Sequence, residues 1–363
     1  MTADETPSSL AGSSKYSNDY RQYPPPSSQP KAFCEWLRNL TRTEKIDWVF
    51  PTTEISSQLI LLNSDCLNSA RIPFASLEQV MSLADKWQLI QLAKRLGITH
   101  PATRYYTCAH ELSADIMTAL HYPVVLKPTQ SRRWLGDRWL STSVHVAYSS
   151  NELTTLLQSH EYLRDFPFML QEFIEGHGAG IFALYDHGKP LAFFAHQRLR
   201  EKPPRGGVSV LSRSAPLNPE LLKIATQLLD AANWHGVAMI EFKIAADGTP
   251  YLMEVNTRFW GSLQLAIDAG IDFPSLLLQS CLKLPIRAPE NYRIDQKLRW
   301  VLGDFDSLYL VLKDAEFTTK EKIKRVFDFV TPHPFTTHHE VNRLHDLGPA
   351  WHELKSYIDN IIR

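Results

Sequence analysis

Two glutamates and an asparagine, Glu241, Glu254 and Asn256, are spaced so that one β-hairpin brings them together. Asp247-Gly248 between them is a strong two-residue hairpin signal, because a type I′ turn needs φ > 0 at both central residues. Folding about that pair sets Glu241 across from Glu254, with Asn256 two residues further along the same face. The opposite face is then apolar, carrying Ile240, Phe242, Ile244, Tyr251, Met253 and Val255, and Pro250 falls opposite Ala245 in a non-hydrogen-bonded pair. Two opposed carboxylates repel. A hard divalent cation reverses that sign: Mg2+ accepts Glu, Glu and an Asn carbonyl while keeping positions for phosphate oxygens. A plainer arrangement has the same spacing, a surface hairpin whose solvated glutamates are bridged by Lys243 or a nearby arginine.

Lys127 is the second residue whose setting asks for chemistry. It closes the apolar run Pro123–Lys127 (PVVLK), where an ammonium must find a counter-anion or shift its pKa. A phosphate is one such partner and a buried carboxylate is another. Around these stand Lys86, Glu172, Glu175, Arg258 and the Arg205-Gly206-Gly207 segment. Each has an ordinary role as a solvated lysine, surface acids, an arginine neutralising the acidic pair, and a flexible turn. Gly-Gly also lets a backbone approach a ligand closely.

The elements that must carry these groups follow from periodicity and breakers. Residues 1–30, rich in Ser and Pro, read as a disordered or extended lead-in. Ala32–Leu40 has a helical apolar face, Asp47–Pro51 a short buried strand, and Thr53 opens a helix through Leu62. Ser76 caps another helix, and Lys86–Leu96 ends at Gly97. From Tyr105 the texture is strand-like: Pro123–Lys127, Ser143–Tyr148, Met169–Phe173, then Ile181–Tyr185 and Leu191–His196 as a hairpin. Asn218–Asn233 and Ser262–Ala269 are helices on either side of the acidic hairpin, and residues after about 290 read as helices with a solvated face. His338-His339-Glu340 is too compact for a metal site, and Lys320–Arg325 reads as one exposed helical face.

Composition narrows the class. Apolar residues are 44%, charged residues 21%, and the formal charge is −1, which argues against a general nucleic-acid or membrane-surface binder. Cys34, Cys66, Cys108 and Cys281 are scattered without a CxxC pair, which fits free thiols and a cytoplasmic setting.

The string Leu252–Arg258 (LMEVNTR), with Glu241 upstream, resembles the metal-binding signature of the ATP-grasp superfamily, and in particular its carbamoyl-phosphate-synthase-like and carboxylate–amine ligase branches. The resemblance implies an α+β ATP-grasp fold gripping ATP between two subdomains, with Glu241, Glu254 and Asn256 holding Mg2+ (or Mn2+) and Arg258 on the phosphoryl group. Lys86 resembles the phosphate-facing residue at a helix start, and Lys127 the strand lysine on the α- and β-phosphates. Gln171-Glu172-Phe173-Ile174-Glu175-Gly176 resembles the adenine hinge, read through the backbone at Phe173 and Ile174. Arg205–Ser209 takes the place of a loop near the γ-phosphate and acceptor. The implied division is a lead-in at 1–30, a shortened pre-ATP-grasp region at 31–104, the ATP-grasp domain at 105–290 and a helical region at 291–363.

Two positions depart from that pattern. Thr129–Ser141 (TQSRRWLGDRWLS) has one glycine, two tryptophans, and Arg132, Arg133 and Arg138 where relatives carry a glycine-rich loop. Gly178 falls where a ribose-binding glutamate often stands. The implied reaction activates a small-molecule carboxylate as an acyl phosphate for attack by an amine, releasing ADP, with no nucleic-acid or membrane partner; a homodimer is compatible. A non-catalytic ATP-binding module and a hydroxyl-phosphorylating kinase are the alternatives.

Overall fold

The computed structural model describes residues 1–204, 207–331 and 336–362. They form two compact units interleaved along the chain: residues 44–193 with 218–259, and residues 1–43 with 194–217 and 260–363. Their boundaries fall at 43/44, 193/194, 217/218 and 259/260, the second of them inside the strand Lys189–Lys202.

In the first unit, three helices are opened by capping side chains, two of them, Thr53 and Ser76, at the expected starts. Thr53 Oγ1 accepts from Ser56 N at 3.1 Å, and Ser76 and Gln79 form a reciprocal capping box. Asp85 Oδ1 takes the amides of Trp87 and Gln88 at 3.0 and 3.1 Å, which fixes the start of Lys86–Arg95. That helix stops at Gly97, whose φ is 67°. The expected strand Asp47–Pro51 is instead a single parallel bridge, Trp48 to Arg71, since Pro51 has no N–H with which to extend a ladder.

Four antiparallel strands follow, in the order Thr103–Tyr106, Phe168–Glu172, Val124–Pro128, His145–Ala147. Leu126 and Leu170 pair and enter a core with Tyr106, Leu153, Leu163 and Phe168. Strand alternation therefore turns Lys127, paired with Met169, to the other face. A second group, Pro250–Asn256, Gly236–Ile244 and His177–Asp186, is antiparallel in that order.

The acidic hairpin reaches its expected pairing by a different path. Gly248 N donates to Ala245 O and Ala245 N to Thr249 O, both at 3.0 Å, so the loop has three residues, with φ of 89° at Gly248. Pro250 consequently faces Ile244, not Ala245. A bulge between Glu241 and Phe242 on one side and Leu252 and Glu254 on the other inserts Met253 and restores Glu241 opposite Glu254. It also places Leu252 in the buried layer with Ile240, Phe242 and Val255, while Tyr251 and Met253 are only half-buried.

The second unit contains Val208–Ser214, Lys297–Arg299 and Thr337–His339 as neighbouring strands, so the region after 290 is not purely helical. His338 and His339 are successive strand residues and point to opposite faces. In the expected lead-in, Thr2–Asp4 pairs in parallel with Tyr20–Gln22. Asp304, fully buried, accepts from Arg200, Arg299 and Arg325 at 2.6, 2.7 and 2.5 Å, so Arg325 is not part of a solvated face. No helix among the described residues is long and apolar enough to cross a membrane.

Candidate active site

The hairpin puts the Glu241 and Glu254 backbones directly opposite each other, and Asn256 Nδ2 donates to Glu241 Oε1 at 2.9 Å. With its N–H committed, the Asn256 amide keeps its carbonyl oxygen as an acceptor. The donor set is all oxygen and twice anionic, which fits Mg2+ and not a softer ion.

Two buried lysines converge on this pair. Lys127 Nζ donates to Met253 O at 3.0 Å. Met253 is the bulged residue, whose backbone is left out of the regular ladder, and the ammonium takes up its carbonyl. Burial pulls the Lys127 ammonium down to about 8; Glu254 and Glu241 pull it upward, and Lys86 adds to the drop. Lys86 Nζ lies 2.8 Å from Ser131 Oγ and 3.9 Å from Glu254 Oε2. Its position is set by the Asp85 cap and by Lys86 N donating to Thr129 O at 2.8 Å, which joins the helix start to the end of the Lys127 strand. Asp85 Oδ2 also takes Gln130 Nε2 at 2.9 Å. Ser131, Gln130 and the Met253 carbonyl carried no sequence signal. The proximity of Lys127 to Lys86 could have been suspected from their shared need for anions.

Arg258 follows two residues after Asn256, half-buried, with Nη1 donating to Phe259 O at 2.8 Å. Gln171 is buried and donates to Thr103 Oγ1 at 3.0 Å, and Glu172 N donates to Ala102 O at 2.9 Å. The strand ends at Glu172, so the backbones of Phe173 and Ile174 lie beyond its ladder. Ile174 is buried, and Lys243 Nζ sits 5.2 Å from the Phe173 ring centroid. Gly176 was not anticipated as a constraint: a Cβ there would meet Ile244 O at 2.0 Å, so only glycine permits this approach to the acidic hairpin. Gly178 pairs with Lys243 and has open space at its Cβ position.

The Thr129–Ser141 stretch is a small antiparallel hairpin, Arg132–Trp134 with Trp139–Ser141, its tryptophan rings 5.2 Å apart. Arg133 lies over the Phe166 ring at 4.9 Å, and Arg138 is exposed beside Asp137. Arg205 and Gly206 lie outside the described residues. At Gly207 a Cβ would meet Lys202 O at 2.2 Å.

Residues 164–303 match the family described as "ATP-grasp in the biosynthetic pathway with Ter operon". No curated protein matches the sequence. Among solved structures, the L-amino acid ligase from Bacillus licheniformis is 20% identical with a TM-score of 0.57, the match covering 75% of this chain and 66% of that one. The biotin carboxylase–βγ-ATP complex from Campylobacter jejuni is 16% identical with a TM-score of 0.62, covering 78% and 65%. The ADP complex of purK, an N5-carboxyaminoimidazole ribonucleotide synthetase, is 14% identical with a TM-score of 0.60, covering 81% and 72%. The chain thus spans about two thirds of the first two structures, and these likenesses establish its fold as ATP-grasp, of the α+β class.

Proposed function

We propose that this chain, with its ATP-grasp fold, binds Mg-ATP and spends it to join a small-molecule carboxylate to an amine. The observation that carries the reading is the directly opposed Glu241–Glu254 pair with Asn256 bonded to it and two buried lysines beside it. Like charges so placed repel, and a divalent cation would add to the two lysines in offsetting that repulsion. The fold shared with an L-amino acid ligase and a ribonucleotide synthetase supports the same reaction class.

Glu241, Glu254 and Asn256 would hold Mg2+, which would supply charge neutralisation on the phosphate chain. Lys127 and Lys86 face the phosphate chain, and a phosphate restores to Lys127 the counter-charge that burial denies it. Backbone groups at Phe173 and Ile174 read the adenine, beside the buried Gln171 and the strand-end Glu172. Arg258 faces the transferring phosphoryl group, and Arg205 serves the acceptor side. A substrate carboxylate oxygen attacks the γ-phosphorus and ADP leaves. The amine nitrogen then attacks the acyl carbon, phosphate departs, and the amine loses a proton. The chain's part is positioning and charge neutralisation. The substrates are small molecules in a cytoplasmic setting.

The test is ADP release screened against pools of amino acids, sugar acids and short peptides, with hydroxylamine present. A hydroxamate marks the acyl phosphate. A stable phospho-product assigns a hydroxyl kinase instead, and nucleotide binding without ADP on any carboxylate assigns a non-catalytic module.

A further inference from the structure

A second cluster of ligating side chains lies in the same unit, about 20 Å along the Gly236–Ile244 strand from Glu241 at roughly 3.3 Å per residue. Asp186 and His187 sit at the tip of the hairpin that joins His177–Asp186 to Lys189–Lys202, and His235 precedes Gly236. His235 Nδ1 is 3.5 Å, and His187 Nε2 3.9 Å, from Asp186 Oδ1. One ligand atom from each of the three residues lies within 4.8 Å of the others. The two imidazoles stack with centroids 4.0 Å apart and planes 3° from parallel.

The backbone holds this arrangement from both sides. His187 and Gly188 have φ of 45° and 80°, the signs a type I′ turn requires. Gly188 N donates to Trp234 O at 2.7 Å, and Gly236 pairs with Tyr185. A Cβ at Gly188 would meet Asn233 Oδ1 at 2.6 Å, so the tip fits closely against the loop that carries His235. His187 N–H also lies 3.4 Å from His235 Nδ1, the ring nitrogen that stands 3.5 Å from Asp186 Oδ1, so the tip and the loop meet at this atom.

We propose that Asp186, His187 and His235 bind one divalent cation of the zinc class. Two ligands at about 2.0–2.2 Å from a tetrahedral ion stand roughly 3.3–3.5 Å apart. The Asp186 separations are therefore close to the bound geometry, and rotation of the exposed His187 ring completes it. Two imidazoles and one carboxylate select zinc over magnesium. Three protein ligands leave a fourth position for water or an outside ligand. The ion would join a hairpin tip to the entry of a central strand, and the site does not depend on the proposed ligase reaction.

The experiment uses the untagged full chain, stripped of metal, with excess Mg2+ to occupy the oxygen site. Zn2+ is titrated by calorimetry and the melting temperature is followed. One equivalent should bind to the parent protein and raise its melting temperature. H187A, changed at an exposed position, should fold normally yet lose about tenfold or more in Zn2+ affinity. D186N should do the same, and Co2+ should give tetrahedral d–d bands only in the parent. Equal Zn2+ binding in parent and H187A overturns the proposal, as does no Zn2+ uptake by the parent.

Discussion

Two clusters of charge, one in each unit, hold their cations in different ways. Around Asp304 the matching is complete: one carboxylate oxygen takes Arg200 and Arg299, the other takes Arg325, all within 2.7 Å. Beside Glu241 and Glu254 the two lysines are held by other groups. Lys86 stands 3.9 Å from Glu254 and spends its short bond on Ser131, while Lys127 bonds a backbone carbonyl. Burial lowers a cation in both places, Arg200 to about 10 and Lys127 to about 8, but Asp304 answers its arginines at bonding distance. A closed cluster holds a fold together. Under the proposed function, the lysines beside Glu241 and Glu254 serve a phosphate as well as the protein.

That contrast breaks first at Asp304. D304N should destabilise the protein by about 3–5 kcal/mol in chemical denaturation, because it leaves three guanidinium groups without their carboxylate. Nucleotide affinity should be unchanged, and a lost affinity would show that the two clusters are not separable. At the acidic pair the loss should appear in turnover: E254Q should lower ADP formation about 10²–10³-fold, with melting temperature unchanged or raised. A variant that melts early yet turns over normally would make Glu254 structural.

Lys127 sharpens the comparison through pH. Its folded pKa, about 8, lies below the ordinary 10.5, so between those values the unfolded chain holds more protons and stability rises with pH. The penalty is complete below about pH 8 and reaches up to about 3 kcal/mol. K127M should lack this rise in ligand-free protein, read as the difference between the two stability–pH curves. Nucleotide binding near pH 8 should take up a proton in the parent and not in K127M, measured by calorimetry in buffers of different ionisation enthalpy. The smallest effect is at the cap: D85A should cost about 1 kcal/mol and weaken nucleotide binding by loosening Lys86.

Much of this was legible because the signals are local. Thr53, Ser76, Asp85 and Asn218 each cap a helix as their side chains dictate. The conflict of Lys127 with its strand was visible in five letters. The Glu241–Glu254 pairing was right for an incomplete reason, since a three-residue loop moved the register by one and the Met253 bulge moved it back. Methionine in a strand looks alike whether paired or bulged, so the carbonyl that receives Lys127 could not be foreseen. Lys297–Arg299 and Thr337–His339 were missed because three-residue strands are too short for a period to show, and their partners are remote in sequence.

The interleaving of the units bears on how the chain is made. Residues 44–259 supply all of one unit, with one excursion, so it can close while the remainder is still being synthesised. The segment Met1–Thr43 precedes residues 44–259 and yet belongs to the other unit, which is completed after them. Ser14 Oγ donates to Asp346 Oδ2 across 332 residues. At roughly 5–20 residues per second, that partner arrives about 20–70 s after Ser14 itself. Through that interval the helix Pro30–Thr43 carries Phe33 and Leu37, both buried in the finished protein, ahead of the residues that complete its unit.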